Sequence, residues 1–261
     1  MRTQAFIFNW PGKKQHAAEL ERMFRPHCEV IVINSDDSLR TRYPHWQHIG
    51  NDGYFTDQWN AALQRFDSDV FVHIQGDVWP AKVGRLLSEC VRFIKDRGVG
   101  VYAPNVNFNP HCYHIRSLRK LQEGVYEVPA TDCSFWGIPA EVIRNTPRVD
   151  PCVNRLGWGI EYLVGAVARR SGRSIVRDYR FTVGHLKSRG YNSDQAANEW
   201  KELKKAVAPL LSQEMESLEH ERNALVSHAT SGKYSVARLL AGVATRISRG
   251  AIILQRRLMP Y

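Results

Sequence analysis

The sequence predicts an α/β protein: a mostly parallel central sheet flanked by helices, followed by a C-terminal helical extension. Three observations predict it. Apolar runs of strand length alternate with helical segments for about the first hundred residues. The early runs end in polar residues, as parallel strands do where their carboxyl ends open on a shared edge. From residue 194 onward the chain turns helix-rich and charged.

Taken in order, residues 4–9 form the first strand and residues 10–13 (Trp-Pro-Gly-Lys) a loop. Ala18, Leu20, Met23 and Phe24 give residues 17–24 helical spacing, and residues 28–34 form a second strand that ends in Asn-Ser-Asp-Asp-Ser. Residues 45–53 are loop-like. In residues 54–66, Phe55, Trp59, Ala62, Leu63 and Phe66 share a helix side, and residues 70–75 are a buried strand of β-formers punctuated by Gly76 and Pro80. Residues 83–97 repeat apolar positions at three and four, so a helix is expected, then a strand over 98–104. Residues 105–122 read as a functional loop or paired edge strands. Strands are expected over 125–128, 133–137, 174–176 and 181–183, with helices over 139–145 and from about 160 to 171. Pro209 interrupts the helix-rich stretch 194–228. Over 235–258, Val236, Leu240, Val243, Ile247, Leu254 and Leu258 project onto one stripe and Arg238, Arg249 and Arg256 onto the opposite one, a basic amphipathic helix. Residues 1–193 are expected to form the catalytic domain and 194–261 the extension.

Composition narrows the function classes. Lys and Arg number 36 against 26 Asp and Glu, a formal charge of +10, which suits anionic partners such as nucleotide phosphates, nucleic acid or an acidic membrane surface. The basic residues are spread along the chain without a helix-turn-helix, zinc or RNP-like pattern, so nucleic acid is not the expected partner. Five cysteines without a Cys-x-x-Cys pair read as reduced thiols. No signal peptide or uncharged membrane-length run appears, and a cytoplasmic protein is expected, attached at most peripherally to the inner face of the cell membrane through the 235–258 helix.

The chemistry-bearing residues gather at strand ends. Gln75, Gly76 and Asp77 end the buried strand. Asp77 reads either as a turn cap or as a ligand for a hard cation, which one or two carboxylates plus substrate phosphates can hold. Glu161 follows Gly157-Trp158-Gly159 at a helix start, and two glycines beside a tryptophan suit a loop that admits a sugar ring better than an ordinary helix start. Asp36 and Asp37 follow a strand, as does His185. His73, inside a strand, reads as a core histidine, and His111 and His114 lack a zinc pattern.

Over residues 4–200 the order of these features resembles glycosyltransferases of the GT-A fold, near the family 2 type. The resemblance implies a nucleotide-sugar donor, here a UDP-sugar, lying over Asn9, Asn34, Asp36 and Asp37, flanked by Asp57 and Asn60 and reaching Gln75 and Gly76. It also implies a divalent metal, Mn²⁺ or Mg²⁺, on Asp77 and His185. Glu161 is then the base that activates an acceptor hydroxyl, with Asp132 next in line, and Trp136, Trp158 and Gly159 line the sugar pocket, although Trp136 also reads as a buried core tryptophan, the commoner role. Gln75 departs from the family's acidic motif, where an Asp is common. The implied acceptor is a saccharide or lipid-linked saccharide, and the implied outcome is inversion. Alternatives are a nucleotidyltransferase, for which residues 10–14 make a poor phosphate loop, and a catalytically inactive nucleotide-sugar-binding scaffold.

Overall fold

The computed structural model describes residues 1–106, 119–185 and 192–230. His111, His114 and the 235–258 stripe lie outside the described residues. The strands are β1 (Thr3–Asn9), β2 (Glu29–Asn34), β3 (Gln47–His48), β4 (Val70–Gln75), β5 (Val78–Pro80), β6 (Val99–Val106), β7 (Arg119–Gln122), β8 (Val125–Glu127), β9 (Phe135–Pro139) and β10 (Ser174–His185). The helices are α1 (Lys14–Phe24), α2 (Phe55–Arg65), α3 (Val83–Arg97), α4 (Ala140–Asn145), α5 (Ile160–Arg170), α6 (Ser193–Ala206) and α7 (Pro209–Thr230).

One sheet runs in the order β3-β2-β1-β4-β9-β6-β10-β8-β7, with β5 added against β10. Its first four strands are parallel. The sheet as a whole is mixed, because β9 enters antiparallel between β4 and β6, and β5 and β8 run antiparallel to β10. Apolar residues cover both faces. Phe6, Phe8 and Phe71 pack with Trp59 of α2 and with α5, while Ala5, Ile7, Val70, Val72 and Ile74 pack with α1 and α3 on the other side. Burial on both faces explains why these strands read as continuous apolar runs rather than alternating ones. Each fully buried Phe or Ile side chain contributes roughly 1.5–3 kcal/mol of transfer free energy.

Two sequence expectations differ. Residues 174–176 and 181–183 belong to one strand, β10, which continues through the polar Arg177-Asp178-Tyr179-Arg180 with a register shift between Asp178 and Thr182. The fully buried Asp178 is satisfied there by the Tyr102 hydroxyl at 2.7 Å and by Arg180. The three-residue β5 and the two-residue β3, which falls in the loop-like residues 45–53, were not expected, since strands that short carry no periodicity. α6 and α7 place Leu203, Met215 and Leu218 in the same core cluster as α2 and α5.

Chain order then fixes where a ligand belongs. β1 sends its connection through α1 to β2 on one side, and the path returns through α2 to β4 on the other, so the carboxyl ends of β1 and β4 flank a crevice at a topological switch point.

Candidate functional site

At that crevice β4 stops because its backbone turns under β1. The Gly76 N–H donates to the Phe8 carbonyl at 2.8 Å, and a Cβ on Gly76 would lie 2.5 Å from the same oxygen. Close approach to β1, rather than contact with a phosphate, accounts for this glycine. The antiparallel register of β5 on β10 sets Val78 opposite His185, which brings Asp77 Oδ1 to 3.3 Å from His185 Nε2. That oxygen is buried and makes no aligned hydrogen bond.

The pair fits a shared divalent ion: two cis ligands of an octahedral ion at about 2.1 Å stand about 3 Å apart, and imidazole suits Mn²⁺. Among the described residues no three His, Cys, Asp or Glu side chains gather into a ligand set. Such an ion would therefore complete its shell with water and ligand oxygens. Gln75 does not join this pair through its nitrogen, which donates to Cys133 Sγ at 3.4 Å.

The loop before α5 presents Glu161. Gly157 and Gly159 have φ of +79° and +93°, a region that disfavours any side chain, and a Cβ on them would collide with the Phe55 and Trp200 rings respectively. The two glycines are thus required by backbone geometry and by packing from α2 and α6. Glu161 Oε2 accepts from the Gly159 N–H at 3.0 Å. Burial pushes the Glu161 carboxyl up to about 7; the Gly159 and Glu161 N–H groups and Arg222 oppose this, and the charge on Asp132 reinforces it. Burial outweighs the helix dipole, and a carboxyl poised near neutrality is what a general base requires.

Asp132 precedes β9, accepts from the Ser134 N–H at 3.2 Å and pairs with Arg177 at 3.3 Å. Arg177, 1% exposed, was missed by sequence reasoning, because a basic residue between two presumed short strands reads as surface. The Cys133 thiol is raised well above the usual range, by burial first and then by the charges of Glu161, Asp132 and Asp77. Trp158 is partly buried, and its carbonyl accepts from Asn154 Nδ2 at 2.6 Å.

Other expected site residues are used differently. Trp136 is 1% exposed, donates to Thr131 Oγ1 at 2.8 Å and packs edge-on against Trp59, so it is a core residue with no face for a sugar. Asn34 is saturated: its Oδ1 accepts from Asn9 at 2.6 Å and from the Asp36 N–H, and its Nδ2 lies against the Asp36 carbonyl and His48. Asn9 keeps one buried oxygen, Oδ1, without a hydrogen bond, while its carbonyl takes Gln58 Nε2 at 2.7 Å. Asp36 accepts from Ser38 and caps the short turn Asp37–Leu39. Asp37 is partly exposed, and the hydrogen bond from Arg40 holds its carboxyl low. Asp57 accepts from the Tyr54 N–H at 2.8 Å, closing the first turn of α2, and Asn60 grips the backbone of Val149 from both ends of its amide. A groove of about 420 Å³ along the outer side of α2 is lined by Asp52, Asp57, Asn60, Gln64 and Arg148. Its lining includes none of Asp77, Glu161 and His185.

The sequence matches no protein-family profile and no curated protein sequence. In shape, the chain is similar to GalNAc-T7 solved with UDP, GalNAc and Mn²⁺, with a TM-score of 0.53 and 13% identity over 85% of this chain and 55% of that one. It is also similar to residues 1–349 of S. aureus TarS in complex with UDP-GlcNAc, with a TM-score of 0.54 and 11% identity over 90% of this chain and 74% of that one. The fold is of the GT-A glycosyltransferase type. The chain spans about half the length of the GalNAc-T7 chain. Among the described residues of this GT-A chain, no helix is long and apolar enough to cross a membrane.

Proposed function

We propose that the chain is a glycosyltransferase that moves a sugar from a UDP-sugar to a hydroxyl of a saccharide or lipid-linked saccharide, with inversion. The observation that carries this is the Asp77–His185 pair, 3.3 Å apart after β4 and at the end of β10, with Glu161, which burial raises to about 7, at the start of α5. Both structural neighbours were solved with UDP or a UDP-sugar, and one with Mn²⁺, which supports the donor and the ion. Asp77 and His185 would hold a divalent ion; when bound, it neutralises charge developing on a diphosphate.

In the chain's own part of the reaction, the Glu161 carboxylate takes the proton of the acceptor hydroxyl while that oxygen bonds to the anomeric carbon. The bond from that carbon to the diphosphate oxygen breaks, and the nucleoside diphosphate leaves with the electron pair. One base on one side of the sugar makes this a single displacement, which inverts the centre. Asp132 is engaged by Arg177 and Ser134, so its contribution is to hold a negative charge near Glu161 and raise its basicity. On the β1–β2 side the Asn9 carboxamide oxygen is left without a hydrogen bond to meet the nucleoside, beside the partly exposed Asp37, whose oxygens accept from Arg40 and from the Asn51 N–H.

Isothermal titration with UDP, with and without Mn²⁺, together with UDP release from UDP-GlcNAc and UDP-GalNAc, tests the proposal. UDP binding strengthened by Mn²⁺ and weakened in Asp77→Ala is expected; a chain that binds no UDP under either condition overturns it. Gln75 in place of an acidic residue favours one second reading, a nucleotide-sugar-binding scaffold, which predicts UDP binding without UDP release. The basic stripe over 235–258 supports an anionic membrane surface as a further partner, and equal flotation with anionic liposomes of chains with and without residues 233–261 would remove it.

A further inference from the structure

The loop that delivers Glu161 is held from outside by α6. Glu199 Oε2 accepts from the Leu156 N–H at 2.7 Å. The other carboxylate oxygen accepts from Gln195 at 2.8 Å, so the carboxylate is itself oriented. Within the loop the fully buried Asn154 accepts from the Gly157 N–H at 2.7 Å and donates to the Trp158 carbonyl at 2.6 Å, with a longer contact to the Glu199 carbonyl at 3.5 Å. Next to Glu199, Trp200 lies where a Gly159 side chain would be, packs against Tyr162 with ring centroids 5.1 Å apart, and is anchored by its Nε1 to Glu219 of α7 at 3.0 Å. A charge-assisted hydrogen bond to a loop N–H is among the stronger tethers a side chain can supply.

We propose that Glu199, through the Leu156 N–H and the Asn154–Gly159 loop, is the positioning residue of the base, so that α6 belongs to the catalytic apparatus. This rests on Glu161 being the base. Without the tether the loop relaxes, the first turn of α5 loosens, and Glu161 gains water. A misplacement of about 1 Å at a reacting group costs on the order of 100-fold in rate. The groups that act on Glu161 among the described residues are Asp132 and Cys133 before β9, Tyr162 on its own helix and Arg222 on α7. None of them is removed by a change at Glu199.

The test is UDP release from UDP-GlcNAc or UDP-GalNAc, whichever the wild-type chain hydrolyses, across pH 5–9 for wild type, Glu199→Ala, Glu199→Gln and Glu161→Gln, with UDP affinity measured alongside. Expected for Glu199→Ala is a kcat loss of about 100-fold with KM for donor and UDP affinity within about twofold, and an acid limb displaced to lower pH as Glu161 returns toward the ordinary carboxyl range. Glu199→Gln, which keeps an acceptor for Leu156, restores most of the rate. If Glu161→Gln abolishes release while Glu199→Ala keeps the wild-type kcat and acid limb, this inference alone fails. If Glu199→Ala loses rate only in proportion to unfolded protein, with the limb unmoved, the residue is structural and the inference fails. If Glu161→Gln releases UDP as the wild type does, or the wild type releases none, the reading of the base fails and this inference with it.

Discussion

The two halves of the sheet's carboxyl edge are built on opposite terms. Over β1 and β2, Asn9, Asn34, Asp36 and Gln58 are tied to one another and to backbone, Asn34 has no bonding capacity left, and Asn9 Oδ1 is the one oxygen of this group that stays buried without a hydrogen bond. Over β4, β5, β10 and α5, Asp77 keeps a buried oxygen without a hydrogen bond, burial pushes Glu161 up to about 7, and burial first and nearby carboxylates second raise the Cys133 thiol above its ordinary value. A saturated network gives rigidity at little cost, whereas unsatisfied and shifted groups cost stability and persist where a ligand or a reaction uses them. On the proposed reading the first half is mostly scaffold, with the Asn9 oxygen left to the nucleoside, and the second half carries the chemistry.

The sharpest way to break that comparison is to change one residue on each side. Glu161→Gln is expected to lower UDP-sugar turnover by about 10²–10⁴-fold, the usual yield of general base catalysis. UDP affinity should hold. The folded pKa of Glu161 lies above its unfolded value, so the folded state binds the extra proton and the carboxyl's cost to stability grows as pH rises from about 4.5 through 7. Glu161→Gln removes that cost, and chemical denaturation at pH 8 should find the variant at least as stable as the wild type. A drop in stability there would place Glu161 among the structural residues. Asn34→Ala should do the reverse: it strands partners on Asn9, Asp36 and His48 and is expected to cost about 2–3 kcal/mol of unfolding free energy with an unchanged urea slope and little change in UDP affinity.

How far the sequence foretold this arrangement follows the same division. β4 (Val70–Gln75) and α3 (Val83–Arg97) were legible to the residue, because burial on both faces writes an uninterrupted apolar run and a helix packed on one face writes a spacing of three and four. Glu161, Asp77 and His185 were legible as strand-end and helix-start residues in a telling order. Arg177 was not, since its burial is created by pairing with Asp132, 45 residues away, which no local pattern records. Asp57 and Asn60 were legible as polar residues on α2 but not in their roles, because the Val149 backbone that occupies Asn60 arrives 89 residues later in the chain. Trp136 takes the core role that the sequence also offered it, and not the sugar-facing one, because its partners come from α2 and β4.

Between the halves stands His73, fully buried on β4 among Phe8, Phe55, Trp59 and Trp136, with neither ring nitrogen in an aligned hydrogen bond. Burial drives its pKa from 6.5 down to about 3, against a weaker opposing influence from the Cys133 backbone. The unfolded chain therefore binds a proton between those values that the folded chain refuses, and stability falls as pH drops through that window. From pH 7 to pH 5 the loss from this residue alone is about 2 kcal/mol. His73→Leu should flatten that part of the stability profile, measured by urea midpoints at pH 7, 6 and 5; an undiminished slope would assign the acid sensitivity to other groups.

The smallest effect is expected at Asp57, and it separates two roles cleanly. As the residue that closes the first turn of α2 on the Tyr54 N–H, Asp57 replaced by Ala should cost about 1 kcal/mol of stability. Because the carboxylate is occupied by the helix it starts, UDP affinity should be unchanged once the folded fraction is corrected for. A tenfold loss of UDP affinity at full folding would move Asp57, and the α2 flank with it, from scaffold to nucleotide contact. The dividing line between the two halves of the edge would then run along α2 instead of between β1 and β4.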